Sequence, residues 1–227
     1  MLSKIFILLL MICAGCVGVY SQETAMNGGK TSVNANGATA HEAAKTALNV
    51  GAKMPSFKLS DATGKTVGSN DLLKQGNLVV VFYRGSWCPY CNLYLRNLQK
   101  NLAQIKAAGG NLVAISVENP DNSLTVARKN ALDFTVLSDP NLSVARKFGI
   151  VYELPKETDA LYKSHGLDVA KHNAMDKAEL PLSATYVVNR KGEIVYAYLE
   201  QDYKKRAAPE AIIETLSKIK SSEVKRQ

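Results

Sequence analysis

The 227-residue chain is long enough for one well-buried α/β domain and too short for two comfortable ones. Its 28 Lys and Arg against 20 Asp and Glu give a formal charge of +8, but the basic side chains are spread along the chain, with one short cluster at residues 204–206. Such a distribution is typical of a solvated surface and argues against a nucleic-acid partner.

The first 21 residues are predicted to be a secretory signal peptide. Lys4 precedes the apolar run Ile5–Cys13, small residues follow, and we expect cleavage after Ser21. The apolar run is shorter than the roughly twenty residues of a membrane span, although an uncleaved anchor is an alternative. A lipoprotein attached through Cys16 ranks below plain secretion, because Cys13 stands where Leu is usual. We therefore expect an exported protein of the periplasm or cell envelope.

Three further segments follow the signal peptide. Residues 22–49 are rich in Asn, Gly, Thr, Ser and Ala, which predicts a flexible linker with one weak helical stretch around residues 41–48. The composition changes at residue 50, and residues 50–222 are predicted to form the folded domain. Residues 223–227 are predicted to be a polar tail.

The predicted elements of the domain alternate between strands and helices. Residues 55–60 and 66–67 flank a turn and predict a hairpin; further strands are expected at 78–82, 111–117, 134–137, 185–188 and 193–199. Helices are expected from the cysteines at 88 and 91 to a stop at Gly109, from a cap at Asp121 through Leu132, at 142–148, and from Pro209 onward. Residues 152–180 are weakly periodic and read as an insertion.

This order predicts an α/β chain with a thioredoxin-like fold. A β-α-β-α-β series precedes a hairpin and a closing helix, with two cysteines directly after the strand that begins the first βαβ unit. We expect a central mixed sheet flanked by helices, with an N-terminal β-hairpin and an insertion before the last β-hairpin.

Cys88 and Cys91 are the only cysteines of the predicted domain, and they fall on the first turn of a helix that follows an apolar strand. Backbone N–H groups at a helix start lack intrahelical partners and the helix dipole is positive there. A thiolate is therefore favoured, and its pKa is expected to fall below the free value of about 8.5. The pair is predicted to be a redox centre.

Two other interpretations of the pair compete with a redox centre. An inert local disulfide would constrain the unfolded chain little, because the loop it closes is so short. A zinc site would need two more ligands, and His41, His165 and His172 lack the usual ligand spacing. We therefore expect no metal and no cofactor, and we expect His165 and His172 to be surface residues.

Several motifs follow one another in a fixed order along residues 51–218. They are FYRGSWCPYCNL at 82–93, VLSDP at 136–140, ARKFG at 145–149, ATYVV at 184–188 and QDYKKR at 201–206. With them the chain resembles the alkyl hydroperoxide reductase and thiol-specific antioxidant (AhpC/TSA) family, in particular its bacterial peroxiredoxin-like branch. The resemblance implies a peroxidase that reduces a small hydroperoxide and is itself reduced by a thioredoxin-like donor. The oligomeric state stays open.

The resemblance also implies roles for individual residues. It places Cys91 on the peroxidatic thiol, whereas the helix end makes Cys88 the more acidic one; we therefore assign Cys91 to peroxide and Cys88 to disulfide exchange. An Arg is implied near the peroxide, and Arg206 is the candidate, with an ordinary surface cation as the alternative. The chain departs from the family pattern at Val81 and Arg84, which leave it without the Pro that normally precedes the peroxidatic turn. It departs again at Ser183, where typical peroxiredoxins have a second Arg and thioredoxins a cis Pro.

Three functional hypotheses remain. The favoured one is a thiol-dependent peroxidase that passes from thiolate to sulfenic acid to a local disulfide. The second is an exported thiol–disulfide oxidoreductase. The third is a non-enzymatic redox-sensing adaptor whose cysteine pair reports oxidation to a partner.

Overall fold

The computed structural model of the chain describes residues 38–224, with side chains through residue 222. The predicted signal peptide, Cys16 and residues 22–37 of the predicted linker lie outside the described residues, as do residues 225–227 of the predicted tail. No helix between residues 38 and 224 is long and apolar enough to cross a bilayer.

The described elements alternate as an α/β chain should. In chain order they are α1 (Ala40–Thr46), β1 (Lys58–Asp61), β2 (Thr66–Gly68), α2 (Ser69–Gln75), β3 (Asn77–Phe82), α3 (Pro89–Lys100), α4 (Leu102–Ala107), β4 (Gly110–Ser116), α5 (Pro120–Lys129), β5 (Thr135–Ser138), a 3₁₀ turn (Pro140–Leu142), α6 (Ser143–Lys147), β6 (Val151–Glu153), α7 (Lys156–Ser164), α8 (Val169–His172), β7 (Glu179–Pro181), β8 (Thr185–Val188), β9 (Ile194–Tyr198) and α9 (Pro209–Val224).

The main sheet is mixed, and its strand order is β2-β1-β5-β4-β3-β8-β9. The strands β3, β4 and β5 run parallel, so the first βαβ unit is confirmed. Antiparallel hairpins complete both edges, β1 with β2 and β8 with β9. The predicted mixed sheet with its N-terminal hairpin is therefore confirmed.

Strand β3 lies in the middle of this sheet, and all six of its residues are buried. Alternate side chains point to opposite faces of a strand. Leu78, Val80 and Phe82 accordingly join the core that contains α1, α2 and α6, whereas Val79 and Val81 join the core formed by α3, α4, α5 and α9. Both faces are covered, which explains why this strand reads as a continuous apolar run.

Two helix predictions needed correction, and one helix was missed. The helix after the cysteines is interrupted at Asn101, whose φ of −98° and ψ of 3° separate α3 from α4. Helix α5 is capped by Asn119, whose side chain accepts from the backbone N–H of Asn122, and not by Asp121, which lies in the first turn. It ends at Lys129 and does not reach residue 132. Helix α2 was not predicted.

The insertion at residues 152–180 is ordered into a second small sheet and two helices. Strands β6 and β7 pair antiparallel, with Tyr152 opposite Leu180, and both of these side chains are buried. Helices α7 and α8 lie between the two strands in sequence. The weak periodicity arises because these helices are short, and α7 has no buried residue.

The described part of the predicted linker, residues 38–49, contains α1 where a weak helical stretch was expected, and it packs against the domain. Ala43 of α1 is buried, and the backbone N–H of Leu48 donates to the carbonyl oxygen of Phe148 at 2.9 Å. At Gly149, where φ is +72°, an added Cβ would lie 2.7 Å from the Thr46 carbonyl oxygen, so only glycine allows this close approach. The folded part therefore begins before residue 50, and α9 continues past residue 222 to Val224.

Candidate active site

The two cysteines lie where β3 passes through a turn into α3. Cys88 is the N-cap of α3, Pro89 is the first helical residue, and Cys91 lies in the first turn. The turn is closed by a hydrogen bond of 3.2 Å from the Cys88 backbone N–H to the Gly85 carbonyl oxygen. Both thiols are free, and each residue is only 1% exposed. The predicted placement at a helix start is thus confirmed.

The surroundings separate the acidities of the two thiols. The pKa of Cys88 is lowered to about 6 by the neighbouring Cys91 thiol, by the backbone N–H of Cys91 and by the charges of Arg84 and Arg206, which together outweigh burial. The pKa of Cys91 is raised well above its usual value by burial and by its interaction with Cys88. These contacts favour Cys88 as the thiolate, the reverse of the order expected for attack on peroxide.

Arg206 lies against the second thiol. Its Nη2 donates to the Cys91 Sγ at 3.4 Å. Its Nη1 donates to the carbonyl oxygen of Lys205 at 2.8 Å and to that of Tyr203, so the loop backbone fixes the guanidinium. The structure therefore brings the predicted Arg206 together with the cysteine pair.

A second guanidinium, that of Arg84, belongs to the turn between β3 and α3 that leads to the cysteines. The sequence did not indicate it as a site residue. Arg84 is 1% exposed, and its Cζ lies 4.0 Å from the centre of the Tyr203 ring, 4.8 Å from that of Trp87 and 5.6 Å from that of Tyr162. Its Nη2 donates to the Tyr162 hydroxyl at 2.9 Å. Arg84 is thus held in a cage of three aromatic rings.

This buried cation has no carboxylate partner among the described residues. Its Nε also lacks a hydrogen-bond partner within residues 38–224. A cation–π contact contributes up to roughly 2 kcal/mol when desolvated, whereas a buried unpaired charge costs several kcal/mol. The rings therefore offset only part of the cost, and a Cys88 thiolate is the negative charge that can offset the rest.

A buried carboxylate, that of Glu118, fixes the turn that precedes Cys88. Glu118 follows β4, its side chain is 0% exposed, and it accepts hydrogen bonds from the Ser86 backbone N–H at 2.7 Å and the Ser86 hydroxyl at 2.6 Å. The His172 Nε2 donates to the same carboxylate at 2.8 Å. Three donors satisfy Glu118, so the turn is anchored to the carboxyl end of β4 and to α8.

Two asparagines fix the same turn to the helices. The Asn92 Nδ2 donates to the carbonyl oxygens of Ser86 at 2.7 Å and Cys88 at 3.0 Å. Asn130 Nδ2 in turn donates to the Asn92 Oδ1 at 2.8 Å. Because Asn92 and Asn130 are both buried, these bonds restrict the backbone on both sides of the first thiol.

The remaining sequence-predicted positions divide between the site and the surface. His165 is exposed and contacts the Leu161 carbonyl oxygen, so it is a surface residue as expected. His172 was expected at the surface as well, but it is half-buried against Glu118. Ser183 is 2% exposed, and its hydroxyl has no hydrogen-bond partner within the described chain.

Sequence reasoning missed Arg84, Glu118 and Tyr162 as site residues. A sequence signal was present for Arg84 and Glu118. Each follows one of the neighbouring parallel strands β3 and β4, whose carboxyl ends meet at one edge of the sheet. No local pattern marks Tyr162, which reaches the site only through the packing of the insertion. Within residues 38–224 no group of three or more His, Cys, Asp and Glu is arranged to hold a metal ion.

Comparison with known sequences points to one protein family. The model of the AhpC/TSA family matches residues 50–197. Peroxiredoxin Bcp of Escherichia coli strain K12 is 33% identical over 103 residues, which are 45% of this chain and 65% of that protein. The chloroplastic peroxiredoxin Q of Populus jackii is 29% identical over 154 residues, 68% of this chain and 62% of that protein. The chain thus spans less than two thirds of the length of these relatives.

Solved structures resemble this one in fold. Peroxidoxin BcpB from Mycobacterium tuberculosis superimposes with a TM-score of 0.60 at 19% identity and covers 76% of this chain and 98% of that chain. A peroxiredoxin Q of Xanthomonas campestris gives 0.56 at 17% identity, over 71% of this chain and 90% of that chain. At these identities the likeness shows the fold alone, and it confirms the thioredoxin-like fold expected from the sequence.

Proposed function

Because the chain belongs to the AhpC/TSA family, we propose that it is a thiol-dependent peroxidase that reduces hydrogen peroxide or an organic hydroperoxide through Cys88 and Cys91. The observation that carries this proposal is the pair of thiols at a helix start, with Arg206 hydrogen-bonded to Cys91 and the charge of Arg84 acting on Cys88. One thiol is acidified enough to be a thiolate at neutral pH, with a pKa of about 6. A thiolate is the form that attacks peroxides.

We assign the attack to Cys88, because its surroundings favour the charged form. Its thiolate attacks the terminal oxygen of the hydroperoxide, the O–O bond breaks, and the leaving oxygen takes up a proton to become water or an alcohol. Cys88 is then a sulfenic acid. The guanidinium of Arg206 or Arg84 can hydrogen-bond the leaving oxygen while negative charge develops on it.

Cys91 then serves as the resolving thiol. Its sulfur attacks the sulfenic sulfur of Cys88, a disulfide forms, and water leaves with the thiol proton. Two electrons from an external dithiol restore the pair by thiol–disulfide exchange. We propose a thioredoxin-like protein as this donor, since the family resemblance implies one. Only Pro89 and Tyr90 separate the two cysteines in sequence, so resolution requires little unfolding.

The two cysteine variants distinguish the roles. We expect Cys88→Ser to abolish peroxide consumption by the reduced protein, because the acidified sulfur is gone. We expect Cys91→Ser to perform one turnover and to stop at a sulfenic acid on Cys88, which dimedone labelling and peptide mass spectrometry detect. Stopped-flow Trp87 fluorescence gives the rate in each variant.

The reverse pattern would contradict this assignment. If Cys88→Ser accumulates a sulfenic acid on Cys91 and Cys91→Ser is inert, Cys91 attacks, as the family resemblance implies. If neither variant nor the wild type consumes peroxide, the peroxidase proposal is wrong.

A second function, thiol–disulfide exchange with proteins, is favoured by one observation. The acidified thiol belongs to the first residue of a Cys-x-x-Cys pair, which occupies the N-cap position of the helix, as expected for a nucleophile that attacks disulfides. On this alternative the reduced protein would reduce insulin at a rate that Cys88→Ser abolishes, while peroxide turnover would be negligible. Peroxide turnover without insulin reduction would exclude it.

We also propose that the protein is exported to the periplasm or cell envelope. The support is the sequence of the first 21 residues, with Lys4 before an apolar run and small residues after it. We expect the protein purified from the cell envelope fraction to begin at Gln22, as read by N-terminal sequencing. An N-terminus at Met1 in a cytoplasmic fraction would overturn this proposal, whereas a lipidated Cys16 would support the lipoprotein alternative.

A further inference from the structure

A cavity of about 440 Å³ lies at the end of the main sheet opposite the cysteines. Asn77 and Gly110, the first residues of β3 and β4, pair with each other in the sheet and line this cavity. The cysteines follow the other end of β3, and this six-residue strand extends roughly 17 Å at about 3.3 Å per residue. The cavity is therefore separate from the redox site.

Three exposed cations line this cavity, and no carboxylate is among its lining residues. The cations are Lys106 in α4, Arg190 in the turn after β8 and Lys220 in α9. None of them forms an ion pair with a carboxylate of residues 38–222. The spread of basic residues along the sequence does not reveal this cluster, because only the fold brings the three together. The cavity therefore attracts anions.

The cavity also offers an unused hydrogen-bond donor. Asn77 is 4% exposed, and its Oδ1 accepts a hydrogen bond from the Arg190 backbone N–H at 3.1 Å. This bond fixes the orientation of the amide, and no residue between 38 and 222 accepts a hydrogen bond from its Nδ2. A nearly buried donor without a partner is costly. An acceptor oxygen bound in the cavity would satisfy it.

A second cavity, of about 400 Å³, shares Arg190 with the first. It is lined by the exposed cations Lys53 and Lys191, and the Lys53 Nζ donates to the Lys191 carbonyl oxygen at 3.1 Å. Lys74 also lines it but is paired with Asp71 at 2.9 Å. No carboxylate is among the lining residues of this cavity either. The two cavities thus offer two positive regions joined by one guanidinium.

We propose that the two cavities form one binding site for a small soluble molecule that carries a diphosphate group. One phosphate lies at Asn77 and the cations of the first cavity, the other lies at the cations of the second, and Arg190 contacts both. Phosphate oxygens match these donors, because a guanidinium binds phosphate through two parallel hydrogen bonds and ammonium groups add point charges. Cavities of this size are typical of small-molecule sites. The inference is independent of the proposed peroxidase function.

Isothermal titration calorimetry of the purified protein at low ionic strength tests this site with two probes, inorganic pyrophosphate and inorganic phosphate. We expect one pyrophosphate per chain, bound about 10-fold more tightly than phosphate, because its second phosphate adds charge-assisted hydrogen bonds in the second cavity. We expect added salt to weaken the binding, since the cations are exposed.

Variants at the shared position isolate the role of the guanidinium. We expect Arg190→Gln to lower the affinity for pyrophosphate about 5-fold or more, because both phosphates lose a charged donor. Arg190→Lys keeps the charge but loses the planar fork, and we expect an intermediate affinity. Lys156→Gln is the control, because Lys156 is an exposed lysine at the start of α7 and lines neither cavity. It is expected to keep the wild-type affinity.

Several results would overturn this proposal. Equal affinities for pyrophosphate and phosphate would show that the two cavities do not act as one site. A loss of affinity in Lys156→Gln as large as that in Arg190→Gln would show a general response to net charge. Binding to phosphatidylglycerol vesicles without binding of pyrophosphate would assign this face to an anionic membrane surface. Peroxide consumption by the same samples is a separate measurement, and its failure would overturn the peroxidase proposal alone.

Discussion

The site depends on a buried positive charge whose partner is a thiol and not a carboxylate. Arg84 is enclosed by three aromatic rings and hydrogen-bonded to the Tyr162 hydroxyl, and no described acidic side chain neutralises it. Burial of such a charge is tolerable only when a negative group lies close to it. The Cys88 thiolate at the start of α3 meets this requirement, and Arg206 and the helix start act in the same direction. The cost of burying Arg84 and the acidity of Cys88 thus have one physical origin.

The residues that position Arg84 and Cys88 come from distant parts of the chain. Arg84 follows β3, Glu118 follows β4, and the insertion supplies Tyr162 and His172. Glu118 holds Ser86, so the turn before Cys88 is fixed by a carboxylate that makes no ion pair with the guanidinium. The absence of an ion pair between Glu118 and Arg84 matters, because a carboxylate next to Arg84 would replace the thiolate as its counter-charge. The insertion is therefore a structural part of the redox site.

The fold was largely predictable from sequence, and the site only in part. Apolar strands such as 78–82 and the cysteines at a helix start carry strong local signals, and both were placed correctly. The polar, alanine-rich composition of residues 38–49 indicated the helical stretch that is α1, but it does not reveal that Ala43 packs against the core. Arg84 was noted only as a departure from a family pattern. Its role depends on rings that are far apart in sequence, and no local periodicity reports such a contact.

The acidity of Cys88 in the reduced protein tests this account most directly. Ultraviolet absorbance of the thiolate is followed against pH in the wild type, in Cys88→Ser to assign the signal, and in Arg84→Met to remove the buried charge. The account predicts a wild-type midpoint at a pKa of about 6, and a midpoint in Arg84→Met that moves up toward the free value of about 8.5. A wild-type midpoint already near the free value, or one that Arg84→Met does not move, would contradict it.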